Sequence, residues 1–134
     1  MKILILEDNQ ERIDAFKETL SEYVDLDLHI WKAAHSFIKE VDEHLQGTDI
    51  ISLDHDLFSD DGIDPGDGLE VAEYLRDKEP ICPVIIHSTN INRSWSMHRE
   101  LKDGNWDVER HPPVSMGVDW IYKDWINVIK KKTR

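Results

Sequence analysis

Only one cysteine, Cys82, occurs in the 134-residue chain, so no intramolecular disulfide can form and a small cysteine-stapled fold is excluded. A reducing compartment, and with it a cytoplasmic location, is the expectation. Long hydrophobic runs are also missing. The opening Ile3-Leu4-Ile5-Leu6 stops at Glu7-Asp8, too short for a secretory core or a membrane span, so no membrane partner is expected. Basic residues are scarce: 16 Lys+Arg stand against 28 Asp+Glu, a formal charge of −12. That balance excludes a general polyanion binder, which needs a basic stripe along the phosphate backbone. No internal repeat is present, and low complexity is confined to the Lys-rich tail at 130–134, which reads as a solvated helix end facing the negative pole of the helix dipole.

The length fits one domain spanning 1–134, since a domain core commonly needs about 100–150 residues. Acid is unevenly spread. Residues 1–90 carry 7 basic and 22 acidic side chains, net −15, whereas 91–134 carry 9 and 6, net +3. The acid of the first two-thirds is therefore either a solvated surface or a site.

Short apolar runs alternate with helical patterns. Residues 3–6 read as a buried strand because they are continuously apolar and end at charges. Asn9 is placed to cap a helix whose Ile13, Phe16, Leu20 and Tyr23 recur at three- and four-residue spacings. A second strand is expected at 26–31, then a short helix capped by Ser36 and stopped near Gly47. Residues 50–53 form the third strand, an Asp- and Gly-rich loop runs over 54–68, and Leu69, Ala72 and Leu75 mark a third helix. The fourth strand falls at 83–86, a helix at 94–102 and a fifth strand at 106–110, ended by Pro112-Pro113. Asp119 is the expected cap of a last helix carrying Ile121, Trp125, Val128 and Ile129. Five alternating units imply an α/β fold, a five-stranded parallel doubly wound sheet with flanking helices.

Ligands in such sheets bind beyond the carboxyl ends of the strands, where the chain order reverses. Glu7-Asp8, Asp54-His55-Asp56 and His87-Ser88-Thr89-Asn90 stand at three of those ends. Four crowded carboxylates repel one another unless some take up protons or a cation joins them. Mg²⁺ or Mn²⁺ fits Glu7, Asp8, Asp54 and Asp56, because these ions take a few carboxylates together with phosphate oxygens and water. A lone Asp after a strand is a common loop starter, but acids ending two strands at one edge point to a metal site.

His55 and His87 adjoin this acidic cluster, where imidazole serves as a general acid or as a ligand for a softer metal. Neighbouring strand residues face opposite ways, which makes His87 the stronger candidate. His29, His35, His44 and His111 are scattered; His98 lies one turn into a helix that starts near His87. Gly66-Asp67-Gly68-Leu69-Glu70-Val71 departs from the dinucleotide fingerprint, no Walker motif occurs, and Cys82 lies between Ile81 and Pro83 in a packing environment. Trp95 and Trp106, close to the expected edge, are candidates for stacking on a base.

The strand-end residues resemble the receiver-domain superfamily, the phosphoacceptor fold of two-component signalling. Glu7-Asp8 is similar to its acidic pair, Leu53-Asp54 to its phosphorylated aspartate, Asp67-Gly68-Leu69-Glu70 to its turn into the third helix, and Ser88 to its conserved hydroxyl. His55-Asp56 and His87 depart from that pattern, and the 54–67 loop is longer. Arg110-His111-Pro112 stands where the usual Lys-Pro follows the fifth strand, with Lys123 inside the last helix. A more specific resemblance is to the cyclic-phosphate-processing receiver domain family, through Glu7-Asp8-Asn9, Leu-Asp-His-Asp-Leu at 53–57 and His-Ser-Thr-Asn at 87–90. It implies a metal-dependent activity on cyclic or terminal phosphates of nucleotides or RNA ends.

Three functions remain open from sequence. In the first, a cation on Glu7, Asp8, Asp54 and Asp56 binds a small phosphate ester, nucleotide or RNA end and acidifies a water. His87 or His55 then protonates the leaving oxygen, Ser88 and Asn90 bond the phosphate, and Arg110 or Lys123 adds positive charge. In the second, Asp54 is the phosphoacceptor of a response regulator, Ser88 its switch hydroxyl, and a histidine kinase or small phosphodonor its partner. The third is a non-catalytic phosphate- or metal-binding regulatory module.

Overall fold

The opening apolar run becomes β1 (Lys2–Leu6), with every residue from Ile3 to Leu6 fully buried because both faces of the strand are covered. A computed structural model describes all of residues 1–134. Asn9 caps α1 (Gln10–Leu20), its side chain accepting the Arg12 amide at 3.0 Å, so only three residues separate the helix from the strand. The chain continues through β2 (Asp27–Trp31), α2 (Ala34–Glu40) with a 3-10 turn, β3 (Ile50–Leu53), α3 (Gly68–Arg76), β4 (Val84–Ile86), α4 (Ile91–Asp103) and β5 (Val108–Arg110). A π-helical turn over Ile121–Trp125 then leads into α5 (Ile126–Lys132).

All five strands are parallel, in the order β2-β1-β3-β4-β5. β1 pairs on one side with β2 and on the other with β3, so the connections diverge there and open a crevice above Leu6 and Leu53. Alternate strand residues serve opposite layers. Ile3, Ile5, Ile50 and Ile85 pack with Phe16 and Leu20 of α1 and with Trp125 and Ile129 near α5. Leu4, Leu6, Ile51, Leu53, Val84 and Ile86 pack with Phe37, Val71, Leu75, Met97 and Leu101 of α2, α3 and α4. Each such side chain, fully buried, contributes about 1.5–3 kcal/mol of transfer free energy.

Several boundaries differ from expectation. The second helix starts at Ala34 without a side-chain cap, and the Ser36 hydroxyl instead donates back to the Ala33 carbonyl at 3.0 Å. Helix α4 begins at Ile91 rather than 94 because Asn90 caps it, accepting the Arg93 amide at 3.1 Å. The fifth strand is shorter than 106–110. Trp106 precedes it, buried, with its indole N–H on the Leu75 carbonyl at 2.8 Å, so it belongs to the core at the amino end of the sheet and not to the ligand edge. Asp119 makes no capping bond; it already lies in the helical turn that runs into the π turn.

Candidate functional site

The sheet's hydrogen bonding continues one residue past the strands and locks the edge. Glu7 N–H donates to the Trp31 carbonyl at 2.9 Å, Asp54 N–H to Leu6 at 3.0 Å, and His87 N–H to Leu53 at 2.9 Å. Three chemically active side chains are thereby set side by side on a rigid backbone. Potential ligand atoms of Glu7, Asp54 and His87 lie within 4.8 Å of one another.

Glu7 is fully buried. Its Oε2 accepts the backbone N–H groups of Asp8 and Asn9, each at 3.1 Å, and its Oε1 lies 3.1 Å from His87 Nε2. Asp54, 5% exposed, accepts the His55 amide on Oδ1 at 2.8 Å. One cation spans both carboxylates: Arg12 Nη1, from the first turn of α1, is 3.5 Å from Glu7 Oε1 and 3.6 Å from Asp54 Oδ2. Burial works to raise the pKa of Glu7, but the His87 hydrogen bond, nearby positive charge and the Asn9 amide outweigh it and hold Glu7 below the carboxylate range. Asp54 goes the other way. Burial, reinforced by the charge on Glu7, pushes it up to about 8 against the opposing pull of the His55 amide and Arg12. The pair thus keeps one proton at neutral pH, on the Asp54 side.

His87 is fully buried, with Nδ1 2.7 Å from the Ser52 hydroxyl and Nε2 on Glu7. Ser52 also accepts the Trp125 indole N–H at 3.0 Å. With both nitrogens engaged and no exposed edge, His87 can reach a substrate only through Glu7. His55 is buried as well, 5% exposed, but only one of its ring nitrogens is hydrogen-bonded. Its Nδ1 is 2.7 Å from Asp56 Oδ1, while Nε2 makes no hydrogen bond and lies 3.7 Å from Asp67 Oδ2.

The remaining sequence candidates divide. Half-buried Asp8 accepts the Phe58 amide at 2.6 Å, anchoring the long β3–α3 loop, and burial raises its pKa. Asp56 turns to His55 and to Asn90 Nδ2, 3.3 Å away, and the His55 bond lowers its pKa. Ser88 is buried at the edge, its hydroxyl accepting the Asn90 amide at 3.0 Å. Arg110 is drawn to α4, its Nε on Ser94 at 2.9 Å and its guanidinium 4.1 Å from the Trp95 ring centre. Lys123 is exposed on the π turn and forms no ion pair. His98 packs edge-on against Trp95.

Sequence reasoning missed Arg12, Ser52 and Trp125. Arg12 was signalled by its place in the first turn after the Asn9 cap, and Ser52 by being the one polar residue of an apolar strand. Nothing in the sequence ties Trp125 to a residue 73 positions away.

Geometrically, acids after β1 and β3 of a 2-1-3-4-5 parallel sheet, with a hydroxyl after β4, define a receiver domain. A sequence profile of the cyclic-phosphate processing receiver domain family matches residues 2–103, and the chain belongs to that family. Among solved structures it is similar to the response regulator domain of Thermotoga maritima CheB, at 16% identity over 99% of this chain and 96% of that one, with a TM-score of 0.68. The Mn²⁺-bound response regulator Rcp1 is similar at 19% identity over 97% of this chain and 91% of that chain, with a TM-score of 0.67. The Salmonella typhimurium response regulator RcsB matches at 14% identity and a TM-score of 0.64, and here the chain spans only 62% of the other's length. At these identities the likeness establishes the fold. No curated protein sequence matches the chain, and no helix is long and apolar enough to cross a membrane.

Proposed function

We propose that this receiver domain processes a cyclic or terminal phosphate ester of a nucleotide or RNA end with the help of a divalent cation. The observation that carries the reading is the Asp56–His55 dyad that directly follows Asp54 beyond β3. A carboxylate oxygen only accepts, so the 2.7 Å contact to Asp56 puts a proton on Nδ1, and in the unprotonated ring the lone pair is then at Nε2, the nitrogen with no hydrogen-bond partner. An imidazole in this tautomer would serve as the general base once substrate entry uncovers Nε2, which is buried in this structure. Attack by water forms a new P–O bond as one ester P–O bond breaks. His55 Nε2 takes the water's proton, and the imidazolium, flanked by Asp56 and Asp67, returns it to the leaving oxygen.

Mg²⁺ or Mn²⁺ fits the carboxylates present, because Glu7 and Asp54 are close enough for one to retain a proton, and Asp8 extends the set outward. The ion would supply positive charge for phosphate oxygens and acidify a water. Arg12, set against both carboxylates, adds positive charge there, while Ser88 and Asn90 offer polar groups at the β4 end. A cytoplasmic setting belongs to the same reading, through the unpaired Cys82.

The test is ring opening of a nucleoside cyclic phosphate by the full chain with Mn²⁺, followed by ³¹P NMR. His55→Gln is expected to lower the rate by at least about 10²-fold, in the range of general base catalysis, and Asp54→Asn to abolish it. A second reading has its own observation, the Ser88 hydroxyl beyond β4 opposite Asp54 beyond β3: phosphoryl transfer to Asp54 from a histidine kinase or small phosphodonor. An intact ester together with an acyl phosphate on Asp54 after acetyl phosphate treatment would establish that reading instead. Metal binding with neither product would leave a regulatory module.

A further inference from the structure

Trp125, Ser52 and His87 take no part in the reaction just described, and the buried hydrogen-bonded chain they form with Glu7 admits one arrangement. Trp125 Nε1 can only donate, so at 3.0 Å it occupies a lone pair of Ser52 Oγ. Ser52 has one other partner, His87 Nδ1, at 2.7 Å. Its hydroxyl hydrogen therefore has a single acceptor available, the Nδ1 lone pair. That assignment places the ring proton on Nε2, where it meets Glu7 Oε1 at 3.1 Å. With a proton on Nδ1, whether in the other neutral tautomer or in the imidazolium, two N–H groups would crowd Ser52 Oγ and its own hydrogen would be buried without an acceptor; the neutral Nδ1–H form would in addition set a bare lone pair against a carboxylate oxygen. All four side chains are buried, so water cannot supply the missing partners. Phe16 and Trp120 pack edge-on and tilted against the imidazole and hold its plane.

We infer that Ser52 and Trp125 are positioning residues that fix His87 as its Nε2–H tautomer and commit it as a hydrogen-bond donor to Glu7, keeping it out of the metal-ligand set. The three-residue cluster of Glu7, Asp54 and His87 would otherwise read as a mixed nitrogen–oxygen site for a softer metal. With the imidazole donating, a bound cation would be left with oxygen ligands only, and Glu7 is held in one rotamer by its two backbone amides and His87. This inference rests on the phosphate-processing reading for its functional meaning, while the tautomer itself is measured separately.

The experiment is a two-bond ¹H–¹⁵N correlation on the full chain labelled with ¹⁵N-histidine at neutral pH, with His87 assigned from the signals lost in His87→Gln. The expected spectrum shows His87 with an unprotonated Nδ1 and a protonated Nε2, unchanged by saturating Mg²⁺. Ser52→Ala is expected to replace the single tautomer by a mixture, Ser52→Thr to restore it, and Trp125→Phe to release Ser52 and admit the Nδ1–H form. A protonated Nδ1 in the native chain, a shift of the proton to Nδ1 on adding Mg²⁺, or an unchanged tautomer in both Ser52→Ala and Trp125→Phe would overturn the inference. Should Ser52→Ala not fold, the native and Trp125→Phe spectra decide. An Nε2–H tautomer in a protein that leaves every cyclic phosphate intact would count against the phosphate-processing reading alone; turnover with an Nδ1–H His87 would count against this inference alone.

Discussion

Asp54 and Glu7 lie side by side yet are driven in opposite directions. Glu7 has two backbone amides, His87 and Arg12 to stabilise its charge; Asp54 has one amide and a share of Arg12, so the proton settles there. Linkage turns this into a stability prediction. Between the ordinary aspartate pKa of 3.8 and about 8 the folded protein holds a proton on Asp54 that the unfolded chain has released. The native state binds more protons across that window, so the stability of the metal-free protein falls as pH rises through it, by at most about 1.4 kcal/mol per pH unit for one group. Glu7, with its pKa lowered, acts below the window, losing its contribution only as pH drops under the usual glutamate range. Urea unfolding at successive pH values from 5 to 8 is expected to show the decline in the native chain and its loss in Asp54→Asn. Equal slopes in the two proteins would mean that Asp54 ionises normally.

Helices α1 and α3 set the walls of the site, through different devices. Asn9 starts α1 so soon after β1 that Arg12 is carried over both carboxylates; Asn9→Ala is expected to cost about 1 kcal/mol by removing the cap. Gly68 lets α3 begin against the end of β3. A Cβ there would fall 2.1 Å from the Asp54 carbonyl oxygen and 2.8 Å from the His55 Cα, and neither backbone atom can yield without moving the site. Gly68→Ala is therefore expected to lose about 1–3 kcal/mol from overpacking and to weaken Mn²⁺ binding as Asp54 shifts. Calorimetric titration beside a thermal melt checks both effects. A variant that melts and binds Mn²⁺ as the native chain does would show that the α3–β3 approach is not tight.

Across the whole molecule the net charge of −12 excludes a basic face for long polyanions but not a small phosphate held through a cation, which becomes the largest local charge. An ion that binds only the folded state stabilises it by mass action, by about 2.7 kcal/mol at a hundredfold excess over its Kd. Mn²⁺ is accordingly expected to raise the melting temperature of the native chain progressively with concentration, and to leave that of Asp54→Asn nearly unchanged. Equal shifts in both proteins would place the ion elsewhere on the acidic surface.

The amino-acid sequence by itself determined the element order, the parallel sheet and the clustering of Glu7, Asp8, Asp54, His55, His87 and Ser88 at its carboxyl edge. Hydrophobic period and strand-end position are local properties, so they can be read along the chain. Tertiary structure alone decided the roles within that cluster. It turned Asp56 toward His55 and Asn90 toward Asp56, took Arg110 to Trp95, left Lys123 exposed on the π turn and brought Arg12 to the carboxylates. It also placed both histidines in the interior, His87 between Ser52 and Glu7 and His55 with one nitrogen on Asp56 and the other buried without a partner. Proton placement depends on which donors and acceptors meet in a water-free interior, and those meetings join residues as far apart as Ser52 and Trp125, whose separation along the chain carries no local signal.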